Sequence, residues 1–330
     1  VVHRRHYAHL QAAGRCMVTR FSDNDVIAHI EKYGMTGAAK RLQTDYRGLQ
    51  RRRDRIEEKI GRQITPPDIR TPRKGIEHAA RVAVEVKNGV VLVGGDGHYW
   101  PGKASTAHRA FVKFCRDMQP AAVVMNGDAF DGATISRHPS IGWETRPSVI
   151  EELEAVQERL EEISQAVPRR RPLIWTLGNH DMRFETRLAT VAPEFARVHG
   201  FHLKDHFPAF TPGWACWING NVVVKHRFKG GVHATHNNTQ TAGLSIVTNH
   251  LHSGKVTAYT DYTGTRYGVD TGTLAEPNGP QFIHYSEDNP KNHRSGFAVL
   301  TFKDGKLMYP ELVSVWDDRS VQFRGEVIRV

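Results

Sequence analysis

Five short clusters of oxygen- and nitrogen-bearing side chains follow one another along the chain. They are Asp96-Gly97-His98, Gly127-Asp128-Ala129-Phe130-Asp131, Gly178-Asn179-His180-Asp181, His226, and Asn249-His250-Leu251-His252. Carboxylates, one amide and several imidazoles, with no thiolate among them, suit a hard or borderline divalent cation. Enough ligands for two such ions make a dinuclear site, which can activate a water and act as a Lewis acid. Taken singly, each cluster has a plainer reading: an Asp-x-His is commonly just polar loop, and Asn-His commonly serves a turn. Their order and their common position after apolar runs carry the metal reading.

Those runs are the elements that must position the clusters. Val90 to Val93 precedes Asp96, Ala121 to Met125 precedes Asp128, Leu173 to Thr176 precedes Asn179, Val222 to Val224 precedes His226, and Ser245 to Thr248 precedes His250. Ligand groups at strand ends are where layered α/β folds build sites. Between the first three runs, residues 105–118 and 150–167 have helical apolar spacing, the second with Ile150, Leu153, Val156, Leu160 and Ile163 on one face. Strand and helix alternate, which predicts an α/β layered core. Asn88-Gly89 predicts a hairpin joining residues 81–86 to 90–93. Residues 182–220 read as loop and short helix. From Val222 onward the chain reads mostly as strands, at 222–224, 245–248, 256–259, 266–269, 297–302, 306–310 and 321–330, with a hairpin at Asp304-Gly305.

The ordered set Asp-x-His, Gly-Asp-x-x-Asp, Gly-Asn-His-Asp, His, x-His-x-His resembles the calcineurin-like metallophosphoesterase family over residues 81–330. Asn249 stands where that family usually has Gly. The resemblance implies a two-sheet β-sandwich flanked by helices and a pair of divalent ions, with manganese the leading expectation and iron, zinc or nickel as alternatives. It implies that Asp128 bridges both ions, that Asp96, His98 and His252 complete one site, and that Asn179, His226 and His250 complete the other. His233 and His236 compete with His226 for its place; His226 is preferred because it ends an apolar strand. His180 is expected as a general acid, with Asp181 as its catalytic partner orienting it or a neighbouring group. Asp131 is expected to hydrogen-bond a ligand or a loop amide. Arg183 is a candidate phosphate contact.

The remainder of the chain differs in charge. Of the net +10, residues 1–75 carry +9 and the rest only +1. Such asymmetry points to a polyanion-binding module ahead of a near-neutral catalytic body. Ser22 and Asp25 open a helix that Tyr33-Gly34 stops, residues 36–42 form a second, and Thr44 caps a third over 45–60 with Tyr46, Leu49, Ile56 and Ile60 inward. The third helix presents Arg47, Gln50, Arg51 and Arg55. This small all-α three-helix domain, 22–64, resembles a helix-turn-helix, whose Arg and Gln meet phosphates and base edges. The plainer alternative is a packing module with a solvated basic face. Residues 65–80, rich in proline and charge, read as a linker, and 1–21 as an extension without the apolar stretch of a signal peptide.

Apolar content of 39% and charged content of 24% are globular values. No apolar run approaches the ~18 residues of a membrane span. Cys16, Cys115 and Cys216 make no C-x-x-C, so no thiolate zinc site or disulfide framework is expected, and a cytoplasmic compartment follows. The expected activity is hydrolysis of phosphodiester bonds, foremost in DNA, with nucleic acid as partner. Small phosphoesters such as cyclic nucleotides, or a regulatory role with a vestigial site, are the rivals.

Overall fold

The computed structural model describes residues 21–64, 78–138, 140–286 and 289–330, and the chain divides into two units, Val1–Arg73 and Lys74–Val330. The expected extension, apart from Phe21, and the linker residues 65–77 lie outside the described residues. Residues 78–80, expected in the linker, are anchored in the second unit. Ala79 bridges Gly213, and the His78 imidazole meets the Glu185 carboxylate at 3.1 Å.

In the first unit, helix α1 (Asp23–Arg41) starts with a reciprocal cap, Asp25 N donating to Ser22 Oγ and Ser22 N to Asp25 Oδ2. It is broken at Gly34, whose φ of 69° and ψ of 173° suit glycine alone, so the first two expected helices are its two arms. Helix α2 (Tyr46–Ile60) is capped by Asp45, whose Oδ1 accepts from Gly48 N at 2.7 Å, and not by Thr44. A carboxylate caps as well as a hydroxyl and also suits the positive end of the helix dipole. Val26, Ile30, Ala38, Leu42, Leu49 and Ile56 form the core. Tyr46 and Ile60, expected inward, are exposed, because α2 buries only the stripe it turns to α1.

The second unit carries strands β1 (Val82–Val84), β2 (Gly89–Gly94), β3 (Ala122–Met125), β4 (Leu173–Thr176), β5 (Thr211–Gly213), β6 (Cys216–Ile218), β7 (Val222–Val224) and β8 (Ser245–Thr248). They continue as β9 (Lys255–Asp261), β10 (Gly264–Asp270), β11 (Gly296–Lys303), β12 (Lys306–Leu307), β13 (Glu311–Asp317), β14 (Ser320–Phe323) and β15 (Glu326–Arg329). One sheet has the order β15-β14-β13-β11-β2-β3-β4-β5, with β12 on β11; the other has the order β1-β6-β7-β8-β10-β9. Helices α3 (Thr106–Met118) and α4 (Val149–Ala166) cover the outer face of the first sheet.

Side-chain alternation assigns the layers. In β2, Val91 and Val93 enter the core between the sheets, while Leu92 joins Phe111, Phe114 and Leu160 under the helices. In β3, Val124 faces the other sheet and Val123 and Met125 face the helices. Strands buried on both faces read as unbroken apolar runs, which is why they stood out in the sequence.

Four expectations are corrected. Asn88-Gly89 is not a hairpin: β1 pairs parallel with β6, and β2 lies in the other sheet between β3 and β11. A turn signal fixes a local reversal, but burial of β2 on both faces decides its partners. Residues 182–220 contain β5 and β6, too short to show a period. Residues 321–330 are two strands turned at Arg324-Gly325. Ile150 is exposed. Helix α5 (Asp181–Val191) begins inside the Gly-Asn-His-Asp cluster.

Candidate active site

All five clusters meet at the ends of β2, β3, β4, β7 and β8. Ligand atoms of Asp96, His98 and His252 lie within 4.8 Å of one another, and so do those of Asp128, His226 and His250. His226 is buried with Nε2 3.0 Å from Asp128 Oδ2. His233 and His236 belong to neither group; His233 directly precedes helix α6 (Ala234–Ala242), and His236 is an exposed residue in it.

The site is strained and tightly built. Asp96, His98, Asp128, His250 and His252 all have positive φ, between 39° and 75°. Non-glycine residues enter that region at a cost, and they persist there where the surrounding structure forces it. The glycines of the clusters have a steric cause. A Cβ on Gly178 would lie 2.0 Å from Asp128 Oδ1, and one on Gly127 would lie 2.4 Å from His226 Nδ1.

Hydrogen bonds set which imidazole nitrogen faces inward. His98 Nδ1 meets Asp131 Oδ1 at 3.0 Å, and His226 Nδ1 donates to Asn126 O at 2.9 Å. This leaves Nε2 of each ring free to ligate, the usual arrangement of a carboxylate or carbonyl behind a metal-binding histidine. Buried atoms without hydrogen-bond partners converge here: Asp96 Oδ1, His98 Nε2, Asn179 Oδ1 and His226 Nε2. Four orphaned lone-pair atoms in one place are costly unless a cation receives them. The donor set, two imidazole–carboxylate groups with one amide oxygen, therefore fits a two-metal site.

Electrostatics run the same way. Burial alone would raise the Asp128 carboxyl, but His226, His180 and His98 hold it well below the usual range. Burial likewise opposes ionisation of Asp96, yet His252 and His226 bring it down to about 2. Burial disfavours a charged His226, but Asp128 and Asp96 raise it to about 10. A divalent ion would take the place of that proton.

His180 and Asp181 are separated in role. The His180 Nδ1 meets Asp131 Oδ1 at 2.6 Å, so Asp131, and not Asp181, orients the ring. The same Asp131 oxygen serves His98, and Trp100 Nε1 donates to its other oxygen at 3.2 Å. Asp181 is fully buried and accepts from Asp128 N, Phe130 N, Gly178 N and Trp175 Nε1. It staples two ligand loops together and does not reach the cavity. Its proximity in sequence to His180 was misleading because helix α5 turns the two side chains apart.

Asn249 answers the departure from the family pattern. Its φ is not positive, its Oδ1 accepts from Asn126 Nδ2 at 2.8 Å, and its Nδ2 donates to Gly272 O at 2.9 Å. Thr176 Oγ1 donates to Asn126 Oδ1, so ends of β3, β4, β8 and β10 are tied in one network. Asn126, Asp270 and Glu152 escaped the sequence reading. Asp270 Oδ1 accepts from Ser253 N, Gly254 N and Gly272 N, shaping the loop after His252. Glu152 in α4 accepts from Gly132 N and Ala133 N. A buried acid on a helix face is the only signal the sequence offered for it.

A cavity of about 690 Å³ opens over the site, bordered by His98, Asp128, His180, His250, Trp100 and Phe282. Arg183 reaches its wall, donating to Asp131 O at 2.9 Å and to His180 Nε2 at 3.1 Å. In the first unit, Arg47, Gln50, Arg51 and Arg55 are exposed on α2, while Arg52 bonds to Phe21 O and Asp23. No described helix is long and apolar enough to cross a membrane.

Comparison with solved structures finds a Vps29 from Entamoeba histolytica complexed with zinc, 15% identical, covering 73% of this chain and 98% of that one, with a TM-score of 0.38. A serine/threonine phosphatase from Saccharomyces cerevisiae is 14% identical, covering 73% of this chain and 85% of that one, with a TM-score of 0.36. No curated protein matches the chain. Residues 89–266, more than half of the chain, match the family model for calcineurin-like phosphoesterases, and the protein belongs to that family.

Proposed function

We propose that the protein is a two-metal phosphodiesterase acting on nucleic acid, foremost DNA. The observation that carries the hydrolytic reading is the convergence of four orphaned ligand atoms beneath one open cavity. Asp96, His98 and His252 would hold one ion, Asn179, His226 and His250 the other, and Asp128 would bridge them. Bound there, two divalent ions, manganese foremost, neutralise phosphoryl charge and make water nucleophilic at neutral pH.

The chain's own residues handle the leaving-group proton. Asp131 fixes the His180 Nδ1–H, directing Nε2 toward the cavity. A guanidinium only donates, so the Nε2 beside Arg183 is unprotonated in this arrangement. With Arg183 drawn onto a substrate phosphate, Nε2 is free to take a proton from solvent water and pass it to the leaving oxygen. Trp100 and Phe282 give the cavity an aromatic edge that suits a base or sugar next to the phosphate.

The nucleic-acid part of the reading rests on the +9 charge of residues 1–75 and the exposed Arg47, Gln50, Arg51 and Arg55. The test is a manganese-dependent panel of linear, circular and single-stranded DNA, RNA, cyclic nucleotides and p-nitrophenyl esters. Cleavage of DNA above all others is expected. Hydrolysis of the small esters with none of DNA would replace the reading by a small-substrate phosphodiesterase.

A further inference from the structure

The catalytic unit is almost neutral in sum, yet its charge is segregated. A trough of about 490 Å³ starts at Asn179 and Arg183 and is lined by Arg137, Arg187 and Arg227. Arg227 also lines an adjoining hollow of about 320 Å³, with Lys229 and His250. The trough shares Arg183 and His138 with the active-site cavity. No carboxylate lines the trough or the hollow among the described residues.

The arginines here differ from several others of this unit. Arg146, Arg159, Arg266 and Arg324 each pair with a carboxylate. The guanidinium groups of Arg137, Arg187 and Arg227 are exposed and have no hydrogen-bond or ion-pair partner among the described residues. Unpaired like charges along one concavity repel one another, and an anion seated among them relieves that repulsion. Guanidinium groups are weakly hydrated and fork onto phosphate oxygens, which makes them suited to that anion. The body's balancing acids lie elsewhere, for example on the exposed face of α4 at Glu151, Glu154, Glu158 and Glu161.

We propose that this trough is a subsite for the phosphates that flank the scissile bond of a single nucleic-acid strand, on the side of Asn179 and His250. The inference rests on the phosphodiesterase reading and deepens it: the catalytic unit itself grips a polymer, independently of the first unit. The same chemistry would hold the outer phosphates of a nucleoside polyphosphate. A continuous run of trough and hollow, with basic residues throughout, favours a chain of phosphates over a compact cluster.

The test compares bis-p-nitrophenyl phosphate with single-stranded di-, tetra- and octanucleotides on the full chain, also in an Arg51→Ala/Arg55→Ala background that silences the first unit. For the parent, KM falls as the oligonucleotide lengthens. Arg187→Ala and Arg227→Ala each raise KM for the longer oligonucleotides about two- to fivefold, as expected of an exposed ion pair. The salt dependence of affinity flattens by about 0.7 in log–log slope for each phosphate that is no longer neutralised. Bis-ester kinetics stay unchanged, and Arg→Lys at either position restores part of the affinity. KM independent of length, or equal losses on the bis-ester, would overturn the subsite. With a nucleoside triphosphate assayed beside these substrates, losses confined to it would overturn the strand and leave a polyphosphate. Anisotropy of a labelled tetranucleotide reads the subsite without catalysis, so weaker binding by an Arg187→Ala/Arg227→Ala variant supports it even where no oligonucleotide is cleaved and the nuclease reading fails.

Discussion

At the scale of single residues, the site separates groups that would hold cations from a group placed to move a proton. His180 touches Asp131 and Arg183, and with His98 and Asp131 it forms a third cluster of ligand-bearing atoms outside the two groups expected to hold metal. His180→Gln should therefore retain metal by elemental analysis while turnover falls about 10²–10⁴-fold, the usual worth of general acid catalysis. The loss should shrink for p-nitrophenyl esters, whose leaving group needs no proton; an equal loss on both would make His180 a positioning residue. Asp131 serves His98 and His180 with one oxygen. Asp131→Asn should weaken both functions: metal affinity by about 10–100-fold, as for other groups behind a ligand, and turnover on esters with poor leaving groups. Calorimetric metal titration beside kinetics on the two ester types reads the two effects apart.

At the scale of elements, the loops after β3, β4 and β8 are interdependent. Gly178 lets the third cluster pass against Asp128, and an added Cβ has only 2.0 Å to its carboxylate. Gly178→Ala should displace that carboxylate and abolish metal-dependent activity, with destabilisation of about 1–3 kcal/mol or more from overpacking. Asn249→Gly, which restores the residue usual in the family, should leave the ligands in place but cost about 1–3 kcal/mol, because buried partners lose their bonds. Urea unfolding of the two variants measures both. Glu152, buried beneath the 132–133 turn, gives a pH signature. Burial first, then Asp131, raises its carboxyl from 4.5 to about 8 against the pull of the Ala133 and Gly132 amides. The folded chain then keeps a proton that the unfolded chain releases. Its contribution to stability is full below about pH 4.5 and disappears as the pH rises to about 8. Glu152→Gln should remove this decline, so the difference in unfolding free energy between about pH 5 and 8 should be smaller than in the parent.

At the scale of the whole molecule, the proposed substrate would meet two basic surfaces: α2 of the first unit and the Arg137–Arg187–Arg227 trough of the second. Arg51→Ala/Arg55→Ala should flatten the salt dependence of duplex DNA affinity by up to about two in log–log slope if both arginines meet phosphate. Hydrolysis of small esters should not change. An unaltered slope would make the basic face of α2 a solvated surface.

The sequence by itself determined which side chains could hold metal. Asp96, His98, Asp128, Asn179, His226, His250 and His252 were legible because each follows a strand buried on both faces, and such strands write unbroken apolar runs. The cap at Ser22 was legible because it is local. Tertiary structure decided what depends on distant neighbours. It separated β1 from β2 despite Asn88-Gly89, since pairing is settled by which faces are buried. It gave the orienting of His180 to Asp131 and left Asp181 to hold the neighbouring loop of Asp128, because a hydrogen-bond partner is set by position across two loops and not by adjacency in the chain. And it gathered Arg137, Arg187 and Arg227, far apart along the chain in a body of net charge +1, into one trough. A sum of charges carries no information about where they meet; the fold alone supplies that.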